Sequence, residues 1–136
     1  MRRIKAQGKL DLLKSVPLFS GLSKQALHEI AKLADEVDLA AGKVLIREGQ
    51  PGQQFFVLVD GAAEVQRTDR RPVSLGAGDF FGEIALVTSR PTNATVTLTE
   101  PSTALVITRP AFRGMLMSHP AVQLQILETL ADRILD

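Results

Sequence analysis

The spacing of the glycines constrains the fold of this chain more than any other feature. Seven of its ten glycines lie near the middle of the chain, at Gly42, Gly49, Gly52, Gly61, Gly76, Gly78 and Gly82. Glycine adopts the positive φ angles that many tight turns require. We therefore expect the middle of the chain to consist of short strands joined by turns, with helices before and after it.

The residues between these glycines read as strands. Val37 and Leu39 alternate with charged neighbours, and residues 55–59 form a dense apolar run. Further apolar or β-branched runs indicate strands over 44–47, 63–65, 72–75, 94–98 and 103–108. Many short strands separated by turn signals are typical of a sandwich or a barrel. The strand region is predicted to cover about residues 36–108.

The first part of the chain predicts helices over about residues 10–34. Residues 11–16 read as a short helix that ends before Pro17, because proline disfavours helical conformation in the residue before it. Ser23 is a suitable N-cap for a second helix. Leu27 and Ile30 begin an apolar stripe along that helix.

The last part of the chain predicts helices over about residues 109–135. One helix opens at Arg109 and runs to about residue 117, and His119 is a candidate cap for the next, with Pro120 at its first position. The last helix carries a broad apolar face made of Val122, Ile126, Leu127, Leu130, Ile134 and Leu135. Residues 1–136 are predicted to form a single domain.

Composition excludes several functional classes. Sixteen basic and fifteen acidic residues give a net charge of +1, which indicates no nucleic-acid surface, and the pair Arg70-Arg71 reads as a solvated hairpin tip. The chain has no cysteine and no apolar run of about 20 residues, so disulfides and a membrane span are not expected. Its two histidines, His28 and His119, have no nearby metal-ligand partner, and we expect no metal site. A cytoplasmic protein is predicted.

Residues 81–95 combine several features of an anion-binding loop. Gly82 lets a ligand approach the backbone closely, and a short helix beginning near Glu83 would direct N–H groups and a favourable dipole at an anion. The Glu83 carboxylate is an acceptor that suits a ribose hydroxyl. Ala85 and Ala94 are small enough to leave room for a phosphate, and Thr95 offers a hydroxyl.

Residues 81–87 and 94–96 together resemble the phosphate-binding cassette of cyclic nucleotide-binding domains, the family of bacterial catabolite activators and of the regulatory subunits of cAMP-dependent kinase. The glycine and strand pattern over residues 42–65 is similar to the same family, and the resemblance covers about residues 16–135. It implies an α+β fold, with an eight-stranded antiparallel β-roll of jelly-roll type, N-terminal helices, a short cassette helix and C-terminal helices.

The resemblance also implies a ligand and a set of residues that bind it. The ligand is a cyclic nucleotide, with cAMP favoured over cGMP, and no further cofactor is implied. In the family, the glutamate that matches Glu83 binds the ribose 2′-hydroxyl, and the backbone around 82–85 and Ala94 lines the cyclic phosphate. The predicted binding residues are Phe81, Gly82, Glu83, Ile84, Ala85, Arg90, Thr92, Asn93, Ala94 and Thr95.

One position departs from the family pattern. The family reads Pro-Arg-x-Ala-Thr-Val, whereas residues 91–96 read Pro-Thr-Asn-Ala-Thr-Val, so that Thr92 stands in place of the phosphate-binding arginine. An arginine contact to an anion contributes about 1.5–3 kcal/mol, which corresponds to an affinity loss on the order of 10- to 100-fold. Arg90 lies two residues earlier and would compensate if its side chain turned inward. Otherwise Arg90 is an exposed loop residue and the site is weakened.

The chain shows no catalytic constellation, and we expect a sensor rather than an enzyme. The resemblance implies that ligand binding shifts the terminal helices, which an effector protein or a fused domain would read, and it leaves a homodimer open. Thr129 or Arg133 on the last helix would contact the base, or else be solvated. No helix-turn-helix sequence follows, so we expect no DNA binding by this chain. The alternative function is a protein-interaction module that keeps the fold but no longer binds nucleotide.

Overall fold

The structure, a computed structural model, describes residues 4–135. Residues 1–3 and 136, and the side chains of Arg133 and Leu135, lie outside the described part, so the predictions for those positions stay predictions. The chain divides into a helical unit, which comprises the residues up to Ala34 and those from Pro110 onward, and a strand unit over Asp35–Arg109. The prediction of a single domain over residues 1–136 stays a prediction.

The strand unit consists of two four-stranded antiparallel sheets. Its strands are β1 Asp35–Leu39, β2 Val44–Ile46, β3 Gln54–Asp60, β4 Ala62–Gln66, β5 Val73–Gly76, β6 Phe80–Phe81, β7 Thr95–Leu98 and β8 Ser102–Thr108. The strand orders are β1-β8-β3-β6 in one sheet and β2-β7-β4-β5 in the other. The five helices are α1 Ala6–Lys14, α2 Lys24–Leu33, α3 Ile84–Val87, α4 Arg109–Ser118 and α5 Pro120–Leu135, of which α3 belongs to the strand unit. The predicted α+β fold with eight antiparallel strands is confirmed.

The core of the strand unit lies where apolar side chains of both sheets meet. Phe56 and Leu58 of β3 pack in one cluster with Val96 and Leu98 of β7. Residues 55–58 are all buried, and β3 lies inside its sheet, paired with β8 on one edge and with β6 on the other. Burial of both faces explains the continuous apolar run in the sequence, where a half-exposed strand would alternate.

Strand β6 is an element that the sequence did not predict. Its two residues pair with Phe56 and Val57 of β3, and the rings of Phe56 and Phe81 stack with their centroids 5.2 Å apart. Phe81 is buried, as expected for a core residue, whereas Phe80 is only half-buried. A two-residue strand has no periodicity of its own, so only its pairing with β3 identifies it.

The helical unit starts earlier than the sequence indicated. The prediction of a helix over 11–16 was wrong at both ends, because α1 spans Ala6–Lys14 and the Ser15 hydroxyl donates a hydrogen bond to Leu12 O at 2.6 Å where the helix ends. Val16 has an extended conformation, with ψ at 123°, since Pro17 follows it. The predicted cap of α2 is confirmed, because the Ser23 side chain accepts a hydrogen bond from Ala26 N.

The last helix does not present one broad packed face. Val122 and Ile126 are buried, but Leu127 is 60% and Ile134 is 84% exposed, together with Leu124. The apolar residues of α5 therefore fall on a buried side and an exposed side. His119 does not cap this helix with its ring: Nδ1 lies 3.0 Å from Met115 O on the preceding helix.

No helix within residues 4–135 is long and apolar enough to cross a bilayer. Within the same range, histidine and acidic side chains form no group of three or more that could hold a metal ion.

Candidate functional site

A cavity of about 570 Å³ opens in the strand unit, beside α3. It is lined by residues 80–85 and by the segment 90–94, which include most of the predicted binding residues. It is also lined by residues of β4, β5 and the hairpin between them. The structure brings the following predicted binding residues to this cavity: Phe81, Gly82, Glu83, Ile84, Ala85, Arg90, Thr92, Asn93 and Ala94.

The loop that carries these residues begins at a glycine that cannot easily be replaced. Gly82 has a φ of +83°, in the left-handed region that favours glycine. A Cβ atom at this position would lie 2.7 Å from Gln54 O and 3.0 Å from Ile46 Cδ1. The chain can therefore turn from β6 into α3 while lying directly against β3 and β2, which places Glu83 at the cavity.

Helix α3 is a single short turn held by its neighbours. The N–H of Ala85 donates to Gly82 O at 3.1 Å, and the N–H of Leu86 donates to Glu83 O at 3.0 Å. Ala85 and Leu86 are buried, whereas the Ile84 side chain is exposed at the mouth of the cavity. Gly52 approaches α3 so closely that a Cβ there would lie 2.6 Å from Ala85 Cβ.

Glu83 is the one acidic residue that lines the cavity among the residues described. It is the residue that precedes α3, but its carboxylate makes no capping hydrogen bond to that helix. Its Oε2 atom is shielded from solvent. A carboxylate oxygen in this setting accepts hydrogen bonds only, which suits a hydroxyl donor on a ligand.

Thr92 uses its polar groups to join the cavity wall to the loop after β2. The Thr92 hydroxyl donates to Arg47 O at 2.6 Å, and its N–H donates to Gln50 O at 2.9 Å. Its carbonyl accepts the N–H of Gly49 at 2.8 Å. The hydroxyl proton of Thr92 is therefore directed at the protein rather than at the cavity.

Thr95 is the predicted binding residue that does not line the cavity. It is the first residue of β7, and its hydroxyl accepts a hydrogen bond from the N–H of Glu48 at 3.0 Å. Arg90, in contrast, lines the cavity with an exposed side chain. Thr129, proposed to contact a base, donates its hydroxyl to Gln125 O within α5, and the Arg133 side chain lies outside the described residues.

Sequence reasoning missed three basic residues of the site. Arg67, Arg70 and Arg71 lie on the hairpin between β4 and β5 and line the same cavity as Glu83. They are exposed, as expected for a hairpin tip, but their position at the cavity depends on how the two sheets pack. No local pattern in the sequence could have indicated it.

Residues 36–119 match the family of the cyclic nucleotide-binding domain. The match covers well over half of the 136 residues, so the chain belongs to the cyclic nucleotide-binding domain family. The residues that the match covers include the whole cavity wall around Gly82 and Glu83. The resemblance inferred from the cassette and from the glycine pattern is thereby confirmed at the level of the family.

The chain is similar to parts of several known proteins. It is 37% identical over 123 residues to a cyclic nucleotide-gated potassium channel of Rhizobium etli, a match that covers 90% of this chain and 34% of the channel. It is 37% identical over 107 residues to the cAMP-dependent protein kinase regulatory subunit of Schizosaccharomyces pombe, covering 78% of this chain and 26% of that subunit. The chain thus spans about a third or less of the length of these curated relatives.

A solved structure has the same fold. It is the N-terminal domain of a transcriptional regulator from Streptomyces coelicolor A3(2), with a TM-score of 0.78 and 29% sequence identity. The similarity covers 91% of this chain and 90% of that domain. This match therefore covers nearly the whole of both chains, whereas the matches to the curated relatives cover only a part of those longer proteins.

Proposed function

We propose that this domain binds a cyclic nucleotide, with cAMP favoured over cGMP, in the cavity beside α3. The observation that carries the proposal is the convergence of residues 81–85 and 90–94 on one cavity of about 570 Å³. That volume lies within the range of about 300–1,000 Å³ found for small-molecule sites. The wall is mostly apolar with a few polar groups, which is the usual composition of such sites.

The residues of the cavity wall suit the parts of a cyclic nucleotide. Glu83 would accept a hydrogen bond from the ribose 2′-hydroxyl, since this residue lines the cavity and an ionised carboxylate can only accept. The small side chains of Ala85 and Ala94 leave the nearby main chain accessible to a cyclic phosphate. Phe80 and Phe81 contribute apolar surface.

The role of the bound nucleotide is proposed from the relatives. A nucleotide-gated channel and a kinase regulatory subunit both use a related domain within a longer protein. We infer that this domain is likewise a regulatory module rather than an enzyme, which acts on an effector protein or a fused domain. In this proposal, binding is transmitted by a shift of the terminal helices α4 and α5. The proposal applies equally to a single copy of the domain and to a homodimer.

One observation favours a second candidate, a protein-interaction module that has lost nucleotide binding. If Thr92 stands at the position of the family's phosphate-binding arginine, that position supplies no guanidinium. Its hydroxyl is already used by Arg47 O, so it does not donate to a phosphate. The absence of that arginine would weaken binding by about 10- to 100-fold unless another cation replaces it.

The two candidates are separated by calorimetric titration with cAMP and cGMP up to millimolar concentrations. The protein must first be shown to be folded and free of co-purified nucleotide. Saturable one-to-one binding supports the sensor, and the absence of heat with both ligands supports the interaction module. Glu83→Gln should lower the affinity about tenfold or more, the effect of one charge-assisted hydrogen bond, while its melting temperature stays near that of the parent.

The matched control for this substitution is Glu100→Gln. Glu100 is exposed and lies outside the cavity, so its replacement makes the same charge change without touching the site. Equal affinities in the two variants would contradict the role proposed for Glu83.

A further inference from the structure

The hairpin between β4 and β5 places three arginines at the cavity. Strand β4 ends at Gln66 and β5 begins at Val73, so the connecting segment contains Arg67, Arg70 and Arg71. All three line the cavity, as does Arg90. Against these four cations stands a single acidic lining residue, Glu83.

The backbone of this hairpin has a defined conformation. The Gln66 side-chain amide donates to Arg67 O at 3.1 Å and to Arg70 O at 3.0 Å. The N–H of Arg70 donates to Arg67 O at 3.2 Å, and Asp69 between them has a φ of 62°. Aspartate tolerates this left-handed conformation better than most residues. These contacts fix the backbone of the turn from which the three arginine side chains extend.

Glu48 connects the hairpin to the first residue of β7. Its carboxylate accepts hydrogen bonds from the N–H of Thr68, at 3.1 Å, and from the Thr68 hydroxyl. The N–H of Glu48 donates to the Thr95 hydroxyl at 3.0 Å. Thr95 follows Ala94 of the cavity wall, so a continuous set of contacts links the binding loop to the arginine hairpin.

Among the described residues, the three arginines of the hairpin form no ion pair with an acidic side chain. The ion pairs found among the described residues join Glu29 to Lys32 and to His119, in the helical unit. Within residues 4–135, no carboxylate oxygen lies within the 4.0 Å ion-pair limit of Arg67, Arg70 or Arg71. Glu48, which contacts the hairpin, accepts its hydrogen bonds from Thr68.

We propose that the β4–β5 hairpin is a cationic wall of the nucleotide site and that Arg67, Arg70 and Arg71 bind the anionic group of the ligand. The ligand class is a nucleotide phosphate, because a guanidinium presents several donors that pair with phosphate oxygens. This inference rests on the proposed function. It also supplies the positive charge that Thr92 does not provide.

The test is calorimetric titration of the parent protein and of arginine variants with cAMP and with cGMP. Single Arg→Gln substitutions at 67, 70 and 71, and the triple variant, remove the charge and keep most of the side-chain length. We expect at least one single substitution to raise the Kd about tenfold and the triple variant to raise it more. The triple variant should also show a smaller loss of affinity when the salt concentration is raised.

Three comparisons make the result decisive. Arg113→Gln makes the same charge change on an exposed residue of α4 outside the cavity, and its Kd should equal that of the parent. Circular dichroism and melting curves identify any variant that fails to fold, and a charge-retaining triple Arg→Lys variant should recover part of the affinity. If the parent binds the nucleotide and the triple Arg→Gln variant has the same Kd, this inference alone is overturned. Absence of binding by the parent would overturn the proposed function and, with it, this inference.

Discussion

Replacing Gly82 by alanine tests how closely the binding loop lies against the sheet. The φ of +83° would place alanine in the left-handed region, which costs about 1–2 kcal/mol. The new Cβ would also lie 2.7 Å from the backbone oxygen of Gln54, a residue of β3 that pairs with Thr108 of β8. Overpacking of this kind costs about 1–3 kcal/mol more. We therefore expect a loss of about 2–5 kcal/mol in the free energy of unfolding, and a melting temperature lower by roughly 10 °C or more.

Two other glycines of the strand unit separate the two contributions. Gly42 has a φ of +85° with open space around its Cβ position, so Gly42→Ala should show the conformational cost alone. Gly76 has neither a positive φ nor a close neighbour, so Gly76→Ala should change stability little. Urea denaturation of the three variants measures the differences. If Gly82→Ala loses no more stability than Gly42→Ala, the close approach to Gln54 does not limit the loop, and the reasoning above is refuted.

Three further predictions concern the cavity and its supports. Arg90→Ala should weaken cyclic nucleotide binding about tenfold, as measured by calorimetry. An unchanged Kd would show that Arg90 is an exposed loop residue with no part in binding. Gly52→Ala should lower stability by about 1–3 kcal/mol in urea denaturation, because the new Cβ would lie 2.6 Å from Ala85 Cβ; a parent-like midpoint would show that α3 shifts freely. Hydrogen bonds from the Thr68 hydroxyl, and then from its N–H, hold the pKa of Glu48 below its ordinary value. The stability they contribute is present above that ordinary value and is lost as the pH falls through the lowered pKa. The difference in melting temperature between the parent and Glu48→Gln should therefore shrink as the pH falls below the ordinary value and vanish once Glu48 is protonated in the folded protein. A difference that persists in acid would contradict this assignment.

Local patterns in the sequence were sufficient for much of the fold. Ser23 was identified as a helix cap because its effect depends only on the next few residues. The strands were predicted from short apolar runs and from the glycines that separate them. The binding loop was predicted as well, because Gly82 and Glu83 lie within one continuous segment whose spacing resembles that of a known family.

What the sequence could not determine involves residues that are distant along the chain. The Thr95 hydroxyl, predicted to face a ligand, bonds to Glu48, which lies 47 positions away, and Glu48 in turn bonds to Thr68, which is 20 positions away. Strand β6 exists only through its pairing with β3. Arg70 and Arg71 of the β4–β5 hairpin read as solvated from their local sequence, yet they line the cavity. Local propensity depends on neighbouring residues, whereas the walls of this cavity are set by which strands pair and pack, and only the tertiary structure decides that.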